Sequence, residues 1–305
     1  MVLAKHLSSQ PVIDHHHGQQ VGDNINGPSV IEVPAWLPRP LGRYYLYFAH
    51  HTGDHIRMAY ADQIDGQWTI LDGGVLDLSE TGFVKHSVPS IEDGKPVVPH
   101  IASPDVHIDK AGKQIRMLFH GVNLDGTQTT RLAISDDGLK FREVSDTLAP
   151  PYLRVTWWQD QLIGVAWGGE MFTSPRWDVP FERGPKLLER PNGPDMIPRH
   201  PFIVLRGSVM HVFYSLIGEQ PERIWHVNVH LSENWQDWSL GTPKAILSPM
   251  FEWEGANLPV TASSVGPANG LEHALRDPFV IDDYLFYVGG GESGIGIAEI
   301  DWGDD

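Results

Sequence analysis

Hydrophobic residues in this chain fall into short extended runs whose order repeats five times. Each copy contains a Pro-led apolar strand, a turn, a second strand rich in Tyr, Phe and Leu, and a third strand that ends in small or acidic residues. An aromatic residue followed by an apolar pair supplies a fourth element. Four antiparallel strands in a recurring unit are typical of a β-propeller blade. The copies start at Pro28, Pro104, Tyr152, Pro201 and Pro278, and the third copy is the weakest.

The five copies predict an all-β fold, a five-bladed β-propeller that takes in residues 1–305 as a single domain. Helical periodicity is scarce, and 31 Gly and 24 Pro residues favour strands joined by tight turns. The fifth copy ends at Asp301, too early for a fourth strand. We expect the extended segment 3–13 to pair as that outer strand and close the ring, because an open sheet edge is a liability. Alternatively, this segment is a frayed terminus.

Composition narrows the classes of partner. The 22 basic and 39 acidic residues give a formal charge of −17, which argues against nucleic acid and anionic membranes as partners because both attract a cationic face. The chain has no cysteine, so disulfides, thiolate catalysis and Cys-based zinc sites are excluded. No apolar stretch has the length of a membrane span, and the first residues do not resemble a signal peptide. These features favour a cytoplasmic location.

Candidate chemistry gathers where the innermost strands of a propeller begin, because these positions ring one mouth of the central channel. Several carboxylates around one pocket push their pKa values apart, which makes an acid and a base from one side-chain type. Taken singly, each residue is explained equally well as a turn cap or a local ion pair. The polar residues at strand starts and at the returning strand ends are Asn26, His100, Asp105, Arg154, Arg199, His200, Arg276, Asp277, His50, His51, His120, Glu170, Glu219 and Glu292.

The repeats resemble the five-bladed propeller glycosidases of family 43, the arabinanase and β-xylosidase group, and more distantly the catalytic domains of levansucrase and invertase. The resemblance covers all five units. The segments that carry it are residues 27–31 (GPSVI) with 44–48 (YYLYF), residues 103–106 (SPDV), residues 133–138 (AISDDG) and residues 276–279 (RDPF).

The resemblance implies a catalytic base, usually Asp before Pro, at the start of the first blade. That position reads Asn26-Gly27-Pro28 here, so the base is absent or displaced to Asp23, Asp105 or Asp277. It also implies a general acid, a Glu often followed by Gly-Pro, and the nearest match is Glu254 before Gly255. His200 at the fourth-blade start is a second candidate, because a related propeller family acting on anhydro-galactose oligosaccharides uses a histidine acid.

These residues lead to a hypothesis of glycosidic-bond hydrolysis in an oligosaccharide. Glu254 or His200 would protonate the leaving oxygen, and Asp105 or Asp277 would activate water. The family likeness implies inversion, with the two groups roughly 6.5–9.5 Å apart. The arginines favour an anionic substrate, because guanidinium offers a planar fork of donors. The predicted substrate-binding residues are Asn26, His51, His120, Arg154, Arg199, Arg276 and Glu292.

Two alternatives stay open. The missing base in the first blade is also what a non-catalytic carbohydrate-binding propeller would show. The 16 histidines allow a metal-dependent carbohydrate-active enzyme, with His50, His51, His100, His120 and His200 converging in the channel. No fixed metal-ligand spacing is present, so the sequence predicts no obligatory cofactor while a histidine-bound metal ion stays possible.

Overall fold

The computed structural model describes residues 2–91, 94–186, 188, 196–268 and 270–303. No described helix is long and apolar enough to cross a membrane. Short 3₁₀ turns are the only helical elements in the described ranges, at His15–His17, Gln19–Val21, Leu78–Glu80, Trp167–Gly169, Trp235–Asp237 and Glu252–Glu254. The strands are β1 (Leu3–His6), β2 (Ile13–Asp14), β3 (Asn26–Glu32), β4 (Tyr44–Ala49), β5 (His55–Ala61), β6 (Thr69–Ile70), β7 (Leu76–Asp77), β8 (Val88–Pro89), β9 (Pro96–Val97), β10 (Ile101–Asp109), β11 (Gln114–Val122), β12 (Gln128–Ser135), β13 (Arg142–Glu143), β14 (Arg154–Trp158), β15 (Gln161–Val165), β16 (Glu170–Ser174), β17 (Glu182–Lys186), β18 (Ile197–Arg206), β19 (Val209–Ile217), β20 (Ile224–His230), β21 (Ser239–Leu240), β22 (Lys244–Leu247), β23 (Leu275–Ile281), β24 (Tyr284–Gly289) and β25 (Gly294–Asp301).

Five antiparallel sheets form the blades of a β-propeller, which confirms the predicted fold class. Their innermost strands are β3, β10, β14, β18 and β23, and each is followed outward by the next strands in chain order. Neighbouring innermost strands contact one another around the axis, and β23 returns to contact β3. A separate two-stranded pair, β8 with β9, lies in the long connection between the first and second blades.

The N-terminal segment closes the ring, as predicted. β1 pairs antiparallel with β25, from Leu3 opposite Asp301 to His6 opposite Ala298. β2 pairs with the other end of β25, where Ile13 lies opposite Ile295 and is completely buried. The last blade therefore obtains its outer strand from the beginning of the chain, and β25 keeps no open edge along these residues.

Aromatic side chains join neighbouring blades. Tyr47 of the first blade packs edge-to-face on Phe141 of the second blade, with 5.7 Å between the ring centroids. The ring centroids of Phe202 in the fourth blade and Phe279 in the fifth are 4.4 Å apart. Every residue of β4 is buried, because both faces of an inner blade strand are covered by adjacent sheets. This explains why the strands read as continuous apolar runs rather than as alternating ones.

Each innermost strand begins beside one residue in the left-handed region of backbone space. In four blades a proline follows this residue and the strand pairing is interrupted by a register shift. Such kinks re-aim side chains, and left-handed backbone at residues with side chains is enriched at functional sites. The five positions, with φ of 60°, 50°, 60°, 44° and 50°, are Gly27, Ser103, Tyr152, His200 and Asp277.

Candidate active site

A cavity of about 670 Å³ opens on the propeller axis. Its wall combines His51 of the first blade with Tyr152, Arg199 and His200 at the starts of the third and fourth blades. The rim is partly apolar, with Trp167 38% and Ile91 70% exposed. An axial cavity with a few polar groups and an apolar rim is a typical small-molecule site.

His200 and Asp277 form a carboxylate–imidazole pair in the wall of this cavity. Nδ1 of His200 contacts Oδ1 of Asp277, and the Gly27 N–H donates to Oδ2 of Asp277 at 2.9 Å. Nε2 of His200 makes no hydrogen bond to any residue that the structure describes. Burial, followed by the charge of Arg199, lowers the pKa of His200 well below its ordinary value. The imidazole is therefore neutral near pH 7.

A second carboxylate–imidazole pair contributes its histidine to the wall of the same cavity. Nδ1 of His51 is 3.1 Å from Oε1 of Glu292. The other carboxylate oxygen accepts from the side-chain amide of Asn24 and from the Ala268 N–H at 3.2 Å. Burial alone would raise the pKa of Glu292, but the hydrogen bond from His51 and the charge of Arg276 hold it below the usual range. Glu292 is therefore ionised.

The two pairs are connected by a row of rings. His51 and His100 are 6.3 Å apart between centroids, and His100 and His120 are 5.5 Å apart. Tyr152 then lies between His120 at 4.3 Å and His200 at 4.2 Å. Burial lowers the pKa of His100 to about 4, lowers that of His120 well below normal, and raises the pKa of Tyr152.

Behind the cavity, Glu222 lies between two buried arginines. Its Oε2 accepts from Nε of Arg276 at 2.9 Å, and its Oε1 accepts from Ser215 at 2.7 Å and lies 3.4 Å from Nε of Arg199. Arg276 also pairs with Glu272. Arg276 is therefore fully engaged by protein groups, whereas Arg199 lines the cavity while pairing with Glu222.

Asp105 and Arg154 lie between the second and third blades, where they contact each other and nearby groups of these two blades. Oδ2 of Asp105 is 2.8 Å from Nε2 of His107 and accepts from the Val155 N–H at 3.0 Å. Arg154 lies 3.5 Å from Oδ1 and donates to the Pro104 carbonyl. Burial favours the neutral acid, but His107 and Arg154 outweigh it and lower the pKa of Asp105. Neither residue lines the cavity.

Glu254 lies in the 3₁₀ turn beside the last blade, and it does not line the cavity either. One oxygen accepts from the Tyr287 hydroxyl at 2.7 Å and lies 3.1 Å from Nε2 of His6. The other accepts from the Met250 and Phe251 N–H groups at 2.6 and 3.0 Å. These contacts connect β1 to β24 through Glu254 and therefore stabilise the last blade. A catalytic role for Glu254 stays a prediction without support from the cavity.

Two further predicted residues, Asn26 and His50, lie outside the wall of the cavity. The amide of Asn26 donates to Oδ1 of Asn24 at 3.3 Å, so it lies behind the Glu292 pair. His50 points away, with Nε2 3.6 Å from Asp23. No three His, Asp or Glu side chains among the described residues form a ready-made metal-ligand set. A metal ion at the axial histidines therefore stays a proposal.

Three supporting residues had no place among the predicted site residues. Tyr152 opens the weakest repeat, which has no proline to mark its inner strand, although it shares the left-handed backbone of the other four strand starts. Asn24 precedes β3, the innermost strand of the first blade, and Glu222 precedes β20. The detectable signal for Tyr152 was its position, because it stands where the other repeats place Gly27, Ser103, His200 and Asp277.

The structure is similar to several solved carbohydrate-active propellers. A thermostable family-43 glycoside hydrolase matches with a TM-score of 0.60 at 16% identity, over 92% of this chain and 91% of its own. The GH43_1 enzyme from Xanthomonas citri in complex with xylotriose matches at 0.59 and 13%, over 97% and 89%. An N-acetylgalactosamine deacetylase from F. plautii, in complex with blood group B trisaccharide, matches at 0.56 and 13%, over 98% and 94%. At these identities the likeness establishes the fold.

Sequence comparison supplies the family. No family model matches the chain. The uncharacterized protein R118 of Acanthamoeba polyphaga mimivirus is 31% identical over 301 residues, which span 91% of this chain and 83% of the viral protein. The chain therefore belongs to the same family as mimivirus R118, and its structure is a five-bladed β-propeller that resembles the family 43 glycoside hydrolases.

Proposed function

We propose that this protein is a glycoside hydrolase that cleaves a glycosidic bond of an oligosaccharide in the axial cavity. The observation that carries the proposal is the Asp277–His200 pair, whose free imidazole nitrogen faces a cavity on the axis of a glycosidase-like propeller. The carbohydrates bound by the structural neighbours support a sugar substrate. The exposed face of Trp167 at the rim suits stacking against a sugar ring.

In this mechanism His200 acts as the base. Its neutral Nε2 accepts a proton from water while Asp277 holds the Nδ1 proton and stabilises the imidazolium that forms. The water oxygen bonds to the anomeric carbon as the bond from that carbon to the leaving oxygen breaks, and the leaving oxygen takes a proton. Direct attack by water inverts the anomeric centre.

This assignment revises the roles expected for His200 and Asp277. Because the two side chains are in contact, they cannot stand on opposite faces of the substrate as separate acid and base. Oδ2 of Asp277 accepts from the N–H of Gly27, which directly follows Asn26, the residue that replaces the usual family 43 base. The carboxylate of Asp277, in the fifth blade, thus lies next to the first-blade position where the usual base is missing. This supports Asp277 as part of a displaced base.

An anionic substrate is proposed on Arg199. Of the three arginines that the sequence brought forward, it is the one that lines the cavity. Arg154 and Arg276 are engaged by Asp105 and by Glu222 with Glu272. A substrate carboxylate or sulfate would therefore lie close to the fourth-blade start. Glu222 balances much of the charge of Arg199, so a single anionic group is the most that this surface suits.

The proposal is tested by incubating the purified protein with panels of neutral and acidic oligosaccharides and following the release of reducing ends. We expect hydrolysis of at least one oligosaccharide, with the first-formed product of inverted configuration by NMR, and release slowed by about 10²- to 10⁴-fold in Asp277→Asn. Binding without release throughout the panels would instead support a carbohydrate-binding propeller, the alternative favoured by Asn26 at the position of the usual base. Elemental analysis of the same sample decides whether a metal ion takes part.

A further inference from the structure

The two carboxylate–imidazole pairs face one cavity, and the mechanism above uses only the Asp277–His200 pair. We propose that His51, held by Glu292, is the general acid that protonates the leaving glycosidic oxygen. This inference rests on the proposed function, which it deepens by naming the proton donor.

The geometry directs one nitrogen of His51 toward the cavity. Nδ1 faces Oε1 of Glu292 at 3.1 Å, and Nε2 makes no hydrogen bond to a residue in the described ranges. The side chain of His51 is 16% exposed, whereas that of Glu292 is 1% exposed. The imidazole therefore lies between the carboxylate and the cavity, and its Nε2 points away from Glu292.

The loop that carries His51 is fixed at several points. Oδ1 of Asn24 accepts from the His51 backbone N–H at 2.8 Å, and the amide of the same Asn24 donates to Glu292. Arg57 in turn donates to the Asn24 carbonyl at 2.9 Å. Both members of the pair are thus held by one asparagine, which preorganises the donor before substrate enters.

The charges around the two imidazoles differ in the way that an acid and a base require. The ionised Glu292 lies 3.1 Å from Nδ1 of His51 and supplies a negative charge beside that imidazole. His200 instead has Arg199 beside it, and this cation together with burial keeps it neutral. Two side chains of the same type thereby receive opposite roles from their surroundings.

The proton balance of the reaction is complete with these groups. As the bond from the anomeric carbon to the leaving oxygen breaks, the Nε2 proton of His51 moves to that oxygen. The water proton moves to Nε2 of His200 as the new carbon–oxygen bond forms. Exchange of protons with solvent after product release restores both imidazoles, and no further reactant is needed.

Leaving-group dependence tests the role of His51. The wild type and His51→Gln are compared on an oligosaccharide that the wild type cleaves and on the 2,4-dinitrophenyl glycoside of the same sugar. We expect kcat/KM of the variant to fall by about 10²- to 10⁴-fold on the oligosaccharide. On the dinitrophenyl glycoside we expect a loss below about tenfold, because that leaving group departs without a proton and gains little from general acid catalysis.

His50→Gln is the matched control, because His50 neighbours His51 and also faces a carboxylate, that of Asp23, but does not line the cavity. It should retain wild-type rates on both substrates. Glu292→Gln should show the same leaving-group dependence as His51→Gln, with a smaller loss, as expected of a residue that acts through His51.

Equal losses on both substrates by His51→Gln, or no loss on either, would overturn the assignment while leaving the hydrolase proposal in place. So would the leaving-group pattern appearing in Tyr152→Phe, the variant of the other proton donor in the wall. If the wild type cleaves neither kind of substrate across all sugars tested, the proposed function itself fails and the assignment fails with it.

Discussion

Replacing His200 by Gln should lower kcat on a cleaved oligosaccharide by about 10²- to 10⁴-fold, the usual contribution of a positioned general base. Asp277→Asn should cause a loss of similar size, because a neutral amide supplies no negative charge to stabilise the imidazolium that forms at His200. The measurement is steady-state kinetics on the two variants, with circular dichroism and thermal melting to establish that both are folded.

The pH profile adds a signature that a merely structural role would not produce. Because the pKa of His200 is lowered by burial, the base stays neutral as pH falls through the ordinary histidine pKa of about 6.5. The acidic limb of kcat/KM should therefore lie below that pH, and it should be absent from the residual activity of His200→Gln.

The matched control for His200 is His107→Gln. His107 also faces a buried carboxylate, with Nε2 2.8 Å from Asp105, but it does not line the axial cavity. It should keep wild-type activity. A large loss of kcat in His107→Gln with little change in His200→Gln would transfer the base to the Asp105 pair and contradict the assignment.

Glu254→Gln should lower the free energy of unfolding by about 3–5 kcal/mol, the usual cost of breaking a buried, hydrogen-bonded charge arrangement. The carboxylate accepts at both oxygens, from the Tyr287 hydroxyl on one side, where His6 Nε2 also lies 3.1 Å away, and from two backbone N–H groups on the other. A Gln side chain has only one acceptor end, so one set of donors loses its partner. Denaturant unfolding of the wild type and the variant measures the difference.

The difference should depend on pH in a stated direction. Burial opposes ionisation, but the hydrogen bonds from His6 and from the Met250 and Phe251 N–H groups outweigh it and lower the pKa of Glu254. The stabilisation is therefore present above the ordinary Glu pKa of about 4.3 and is lost as pH falls below it.

Glu252→Gln is the control, since Glu252 is exposed on the same turn and should change stability by less than about 0.5 kcal/mol. Loss of activity in Glu254→Gln without loss of stability would contradict this reading and restore Glu254 as a general acid.

The sequence predicted the blades because their pattern is local. The paired runs from Pro28 to Ile31 and from Tyr44 to Phe48 have the length and composition of buried strands, and they recur at each blade. The repeats also predicted how the ring closes. The fifth copy lacked an outer strand, and residues 3–13 were available to supply it. β1 and β2 occupy that place.

The candidate site was predictable as a set of positions but not as a set of partners. His51 and Glu292 are 241 residues apart in the chain and meet only because the ring brings the first and fifth blades together. Asp105 and Asp277 both lie at the start of an innermost strand, so the sequence made them equally good candidates for the catalytic base. Only three-dimensional packing separates them, because Asp105 turns toward His107 and Val155 while Asp277 turns toward His200.

Glu254 shows how a short motif leaves a catalytic and a structural explanation open. The Glu254-Gly255 pair matches the family pattern of an acid followed by glycine, yet Gly255 serves here to end a turn, with φ of 76°. Local backbone chemistry and catalytic chemistry both favour Glu-Gly, so the pair alone cannot distinguish them.

The central claim is that the axial cavity holds the sugar whose bond is cleaved. The most direct measurement is a crystal structure of Asp277→Asn with a bound oligosaccharide identified from the hydrolysis panels. The account predicts the sugar in the axial cavity, with the anomeric carbon facing Nε2 of His200 and the glycosidic oxygen facing His51. An oligosaccharide bound instead in the cleft of Trp157 and Trp177, beside His107, with the axial cavity free of sugar, would contradict it.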